Sequence, residues 1–132
     1  MNLFTDESMG IANPVCFRWD AEGRLWVLCT WAYPQPKPGE KADDKLFILE
    51  DKDEDGRADK VSVFADGLNM PTGFALGHGG VYLAEGPDLL HLRDADGDGK
   101  LSLAEFEAAA RNLRPGPSGG EQGSCGCRMI GE

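Results

Sequence analysis

Two stretches of this chain carry carboxylates at a spacing that suits one kind of chemistry. Asp51, Asp53 and Asp55 alternate ahead of Gly56 in DKDEDGRAD, and Asp94, Asp96 and Asp98 alternate ahead of Gly99 in DADGDGKLS. Calcium takes about six to eight oxygens at 2.3–2.6 Å, so a loop that binds it must turn several carboxylates around one point. Alternate Asp residues with Gly at the sixth place meet that need, because Gly permits the sharp turn. In the first loop the Arg57 carbonyl is a plausible fourth ligand and Asp59 a fifth, but position twelve is Ser62, which offers no bidentate carboxylate. The second loop fills the EF-hand pattern, with Asp94, Asp96, Asp98, the Lys100 carbonyl, Ser102 and Glu105 at positions 1, 3, 5, 7, 9 and 12. Ca2+ is thus the expected cofactor. The alternative is a pair of polar turns whose carboxylates face solvent; neighbouring unpaired carboxylates repel, which favours the cation.

The continuations differ. After the first loop, KVSVFADGL is β-branched and alternating, which predicts a strand. After the second, Ser102 and Glu105 form a capping box, and Leu103, Phe106, Ala110 and Leu113 share one face of a predicted helix over 103–113 that stops at Arg114-Pro115. No helix is expected before the second loop: Gly86-Pro87 and the alternation of PDLLHLR predict a strand, so the unit reads as strand–loop–helix.

The remaining elements must position these loops. PVCFRWDAEGRLWVLCTW predicts a hairpin that sets Trp19 opposite Leu25, sends Cys16 and Cys29 to opposite faces and disfavours a bridge between them. The Pro-rich stretch 32–44 reads as a surface loop. KLFILE and KVSVFADGL flank the first Asp loop, and MPTGFALGHGGVYLAEG predicts a second hairpin turning at GHGG. The pattern repeats: Pro14-Val15-Cys16-Phe17 aligns with Pro71-Thr72-Gly73-Phe74, Gly23–Val27 with Gly79–Leu83, and LFILED with LLHLRD. Several strands per repeat of roughly forty residues is the signature of propeller blades. The expected fold is mainly β, two β-propeller-like blades forming an antiparallel meander, plus one C-terminal α-helix. Residues 1–101 form the partial propeller-like region, 94–114 the EF-hand-like loop and exiting helix, and 115–132 a flexible tail.

Across 132 residues the formal charge is −10. The pI near 4.6 argues against nucleic acid and anionic membrane surfaces, which need clustered Lys and Arg. No apolar run is long enough for a membrane span, and MNLFTDESMG lacks the basic start and apolar middle of a signal peptide. His78 and His91 have no companion at a telling distance and read as structural. Trp19, Trp26 and Trp31 read as sheet core or rim, and Cys125-Gly-Cys127 as part of the tail.

Over about residues 2–100, three quarters of the chain, the sequence resembles the first blades of large exported propeller proteins of planctomycetes and their relatives. Those are often labelled membrane-bound dehydrogenases and are similar to glucose/sorbosone dehydrogenases. The resemblance rests on the Asn-Pro start, Gly23-Arg24-Leu25-Trp26-Val27 and the Asp-rich loop between LFILE and VSVFADGL. It implies a periplasmic or extracellular setting and a quinone-dependent sugar dehydrogenase as the parent activity, although no catalytic position carries over. Two blades cannot close a propeller, which takes about four or more. The chain is accordingly expected to be a calcium-binding structural piece, with two rival readings: a dehydrogenase fragment, or a module that self-associates through unpaired edge strands.

Overall fold

The computed structural model describes residues 1–101, and these form two antiparallel sheets. The first contains β1 (Pro14–Trp19), β2 (Leu25–Cys29), β3 (Asp44–Glu50) and β4 (Lys60–Leu68) in sequence order. The second contains β5 (Gly73–Gly77), β6 (Gly80–Glu85) and β7 (Asp88–Leu92). One 3-10 turn, Glu7–Met9, precedes them. The described residues contain no α-helix. The helix expected over 103–113, with Ser102, Glu105 and the tail, lies outside them.

The turns follow from local chemistry. Asp20 accepts from Glu22 N and Arg24 N at 3.0 and 2.8 Å, and Gly23 takes φ +80°, which closes the first hairpin. Trp19 pairs with Leu25 as expected. Cys16 therefore packs toward the second sheet while Cys29 packs on the opposite face, and both are free thiols. His78 and Gly79, at φ +51° and +72°, form the two-residue turn between β5 and β6. There, a Cβ on Gly80 would collide with the Leu92 carbonyl oxygen.

Alternation then sorts side chains into two cores. Between the sheets lie Trp26, Leu28, Leu46, Ile48 and Phe64 from the first and Phe74, Val81, Leu83, Leu90 and Leu92 from the second. On the outward face of the first sheet, Leu25, Val27, Phe47 and Leu49 are covered by Ile11 and in part by Phe4. Leu28, Leu46, Leu49, Leu83 and Leu92 are fully buried, each burial being worth about 1.5–3 kcal/mol.

One sequence expectation needs correction. The stretch 32–44 is not surface throughout: Asp44 is wholly buried at the head of β3, and Ala32 is buried with it. The Asp44 carboxylate accepts from Thr30 Oγ1, Trp31 N, Ala32 N and Met70 N at 2.6–2.9 Å. It ties the β2–β3 loop to the link between the sheets. Four donors offset the cost of burying this charge.

Candidate metal centres

The β1–β2 turn, the first Asp loop, the β5–β6 turn and the second Asp loop all lie at one end of the sheets, because strand register places Trp19, Leu25 and Leu49 together there, as it does Gly77, Gly80 and Leu92. The first Asp loop connects β3 to β4, and Asp59 N donates to Glu50 O at 2.8 Å across its base. Ala58 N donates to Phe4 O at 2.9 Å, which ties the loop to the N-terminal segment. The second Asp loop leaves β7 and ends with Leu101 N donating to Phe64 O of β4 at 2.6 Å.

The two loops fold alike through position seven. In the first, Asp51 accepts from Asp55 N at 3.3 Å and Gly56 N at 2.9 Å, Asp53 accepts from Asp55 N at 3.2 Å, and Asp55 accepts from Arg57 N at 2.8 Å. In the second, Asp94 accepts from Asp98 N at 3.2 Å and Gly99 N at 2.7 Å, Asp96 accepts from Asp98 N at 3.0 Å, and Asp98 accepts from Lys100 N at 2.8 Å. Gly56 and Gly99 both take φ above +80°, the left-handed turn that the sequence assigned to position six.

They differ in which carboxylates converge. In the second loop Asp94, Asp96 and Asp98 bring one oxygen each to within 4.8 Å of one another. In the first loop the converging group is Asp51, Asp53 and Asp59, and Asp55 is outside it. Asp59 also accepts from Lys52 N at 2.7 Å and Asp53 N at 3.3 Å, which holds position nine over the start of the loop. Position four differs too. Gly97 N donates to Asp94 at 2.7 Å, whereas the first loop has Glu54 there, held at φ +59°. The Arg57 and Lys100 carbonyls sit at position seven of their loops, and Ser102 and Glu105 lie outside the described residues.

Charge state follows these contacts. The Gly99 N–H, followed by those of Gly97 and Asp98, holds the Asp94 carboxyl below the ordinary Asp value. Asp53 goes the other way. Lost hydration among its neighbours raises its pKa despite the Asp55 N–H, and the charges of Asp55 and Asp59 add to the rise. Two ligands on opposite sides of a calcium ion stand about twice 2.4 Å apart, so oxygens within 4.8 Å fit a shared ion. The donor sets contain no His or Cys, which suits a hard cation.

The loops share their end of the molecule with a cleft of about 450 Å³ that Asp20, Arg24, Trp26, Gly79, Asp94 and Gly99 help line. Asp20 is a residue that sequence reasoning took only for a turn former. Burial works against its charge, but Trp26 Nε1 at 2.8 Å and the Arg24 N–H groups outweigh burial and hold its pKa below the ordinary value. The signal was present as Asp20 followed by Arg24 and Trp26, which register brings to one face. His91 is buried and stacks on Tyr82 with centroids 4.2 Å apart, and His78 Nδ1 meets Tyr82 OH at 2.8 Å, so both histidines serve the second sheet.

A mainly-β domain of two antiparallel sheets, with one Asp-rich loop inside the first sheet and one after the second, each able to hold a cation, is the class that fold and site define. The chain belongs to the DUF7133 family, described as a domain of unknown function, whose model matches residues 1–106 and so takes in both loops as far as Glu105. No curated protein and no solved structure was found to match it. Among the described residues no helix is long and apolar enough to cross a membrane.

Proposed function

We propose that the chain binds calcium through its two Asp-rich loops, and that the ions act structurally by pinning the β3–β4 hairpin and the exit from β7 in two successive propeller-like blades. The observation that carries this reading is the convergence of three carboxylates in each loop on one shared point. Three negative charges at that spacing repel, and a divalent cation turns the repulsion into coordination. Calcium suits the donor set better than magnesium. A tight loop rich in carboxylates can replace most of the calcium hydration shell, whereas magnesium demands near-ideal octahedral geometry and keeps several waters.

Support for the blade reading comes from the repeat, since β1–β2–β3 and then an Asp loop recur as β5–β6–β7 and then an Asp loop. The EF-hand reading of the second loop depends further on Ser102 and Glu105. The resemblance to exported dehydrogenase-like propellers suggests that the parent setting is periplasmic or extracellular. A sugar-oxidising site of that kind gathers residues from several blades, and no residue of this chain is assigned to it.

The test is thermal unfolding after chelation, followed by titration with calcium and, separately, magnesium. A cation that binds only the folded state stabilises it by about 2.7 kcal/mol at a concentration one hundred times Kd. The expected result is a rise in Tm with millimolar calcium that magnesium reproduces only weakly. An unchanged Tm across the calcium titration contradicts the structural role.

A further inference from the structure

Position eight of each Asp loop gives its N–H to a carbonyl in another segment. In the second loop the acceptor is Phe64 O of β4, and in the first it is Phe4 O of the N-terminal segment. That segment meets the first loop at successive positions of its turn. Asn2 Nδ2 lies 3.4 Å from where a Cβ on Gly56, at position six, would stand. Asp6 has its carboxyl held below the ordinary value chiefly by the Ser8 hydroxyl and N–H, and the charge of Arg57, at position seven, adds to the effect. Ala58, at position eight, donates to Phe4 O at 2.9 Å. The segment is itself seated on the first sheet. The Phe4 ring meets the Trp19 ring edge to face with centroids 5.7 Å apart, and Ile11 is buried with Leu25, Val27, Phe47 and Leu49.

The position-eight bond bears on the ion through the peptide to which it belongs. A trans peptide is planar, so its C=O and N–H point opposite ways. The Ala58 N–H shares its plane with the Arg57 carbonyl, the oxygen expected at position seven of a calcium loop. Holding the N–H on Phe4 therefore aims that carbonyl away from the segment, and a cation that polarises the carbonyl makes the N–H a stronger donor in turn. The next residue is Asp59, which joins Asp51 and Asp53 in the carboxylate group and whose own N–H is held by Glu50 O at 2.8 Å. Its backbone is thus anchored by β3 and, one residue earlier, by the N-terminal segment. Without a cation the carboxylates repel and work against both anchors.

We propose that the N-terminal segment from Asn2 to Asp6 is a working part of the first calcium site. Phe4 positions the Arg57–Ala58 peptide and Asp59 for the ion, and the bound ion in turn holds the segment down against Trp19 on the outward face of the first sheet. Gly10, at φ +85° behind the 3-10 turn, is the place where Phe4 lifts while Ile11 stays seated. Such coupling is reciprocal: whatever the segment adds to calcium affinity, calcium adds to the seating of the segment. The coupling rests on the calcium reading of the loops and is confined to the first, because the second leans on β4.

The experiment is calorimetric titration of calcium into the full chain carrying Asp94→Asn, so that the first site is read alone, with and without Phe4→Asp. The same pair is made in a chain carrying Asp51→Asn, so that the second site is read alone. Phe4→Asp should weaken the first site about threefold to tenfold, the worth of one hydrogen bond, and leave the second unchanged. Phe4→Leu, which keeps an apolar side chain at the contact, should hold most of the affinity. In the wild-type chain, proton NOEs between the Phe4 and Trp19 rings should be stronger in calcium than in chelator. A first site that Phe4→Asp leaves unchanged overturns the proposal while the calcium reading stands, and so do two sites weakened alike or ring NOEs that are equal in calcium and chelator. Heats of dilution alone from the Asp94→Asn chain overturn the calcium reading of the first loop and the proposal with it. If circular dichroism melts show that Phe4→Asp does not fold, the ring NOEs of the wild-type chain decide.

Discussion

The two Asp loops begin as copies and end differently. From position one to position seven they share the same donors and acceptors, which backbone N–H groups at positions five, six and seven make to the carboxylates of positions one, three and five. Beyond that, the first loop swings Asp59 back over Lys52 and Asp53 and enters β4, while the second runs to Leu101 and bonds Phe64 of the other sheet. The lesson is that a short Asp/Gly sequence can fix its own turn, and that in the first loop a carboxylate at position nine joins the group. Asp at nine completes the first group. In the second, Asp98 at five completes the group among the described residues, and position nine, Ser102, lies outside them.

The largest expected effect comes from position one. Asp51→Ala removes a ligand and strands the Gly56 N–H, and Asp94→Ala does the same to the N–H groups of Gly97 and Gly99, while Asp55 N and Asp98 N keep Asp53 and Asp96 as acceptors. Each should cost its own loop at least tenfold in calcium affinity, or about 1.4 kcal/mol, and leave the other loop intact. Loss of binding at both loops from one substitution would break the idea of independent turns.

The next effect separates positions nine and twelve. Asp59→Ala should weaken the first loop severalfold, because Asp59 is both a member of the carboxylate group and the acceptor for Lys52 N. Ser62→Ala should leave it unchanged, since Ser62 lies within β4 and its hydroxyl approaches only the Ile48 carbonyl at 3.4 Å. In the second loop the expectation reverses: Glu105→Gln, at position twelve of the EF-hand pattern, should weaken calcium binding. Calorimetry on the three variants compares them directly.

How far such a comparison was legible in the sequence depended on distance along the chain. The strands, the Trp19–Leu25 hairpin, the His78-Gly79 turn and the opposed cysteines all follow from alternation and turn chemistry, which act over a few residues. The Asp/Gly spacing likewise announced both loops. Asp44 was missed because its four donors come from two segments distant from it in the chain, and nothing near KADDKLF says that one of two adjacent Asp residues will be buried. Asp55 was read as a ligand on spacing alone. Asp59 was likewise read as a ligand from the sequence, and it is Asp59, with Asp51 and Asp53, whose carboxylate joins the converging group as the loop closes onto β4.

A smaller effect tests position four. Glu54 sits in the left-handed region at φ +59° where the second loop has Gly97 at φ +78°. Glu54→Gly should stabilise the first loop and Gly97→Glu destabilise the second, each by about 1 kcal/mol at most, read from chemical unfolding without calcium. Opposite signs sharpen the comparison, and equal signs break it.

The smallest effect is a titration in the calcium-free protein. Asp53 is raised, so its carboxyl should protonate above 3.8 as pH falls, whereas Asp94 is lowered and should protonate below 3.8. The sign for stability follows. The contribution of Asp94 is present above its unfolded value and is lost as pH falls through its lower folded value, while the raised Asp53 opposes folding once it is ionised. Carboxyl carbon NMR against pH, in chelator, should find Asp53 titrating first on acidification.

The central claim is that each loop holds its own calcium ion, and the most direct measurement is calorimetric titration of calcium into chelator-treated wild type, Asp51→Asn, Asp94→Asn and the double variant. Wild type is expected to bind with a stoichiometry of two and Kd on the order of 10⁻⁴ M, the range of extracellular sites. Each single variant should keep one site, and the double variant should give only heats of dilution. A wild-type chain that gives only heats of dilution, or a double variant that binds as wild type does, contradicts it.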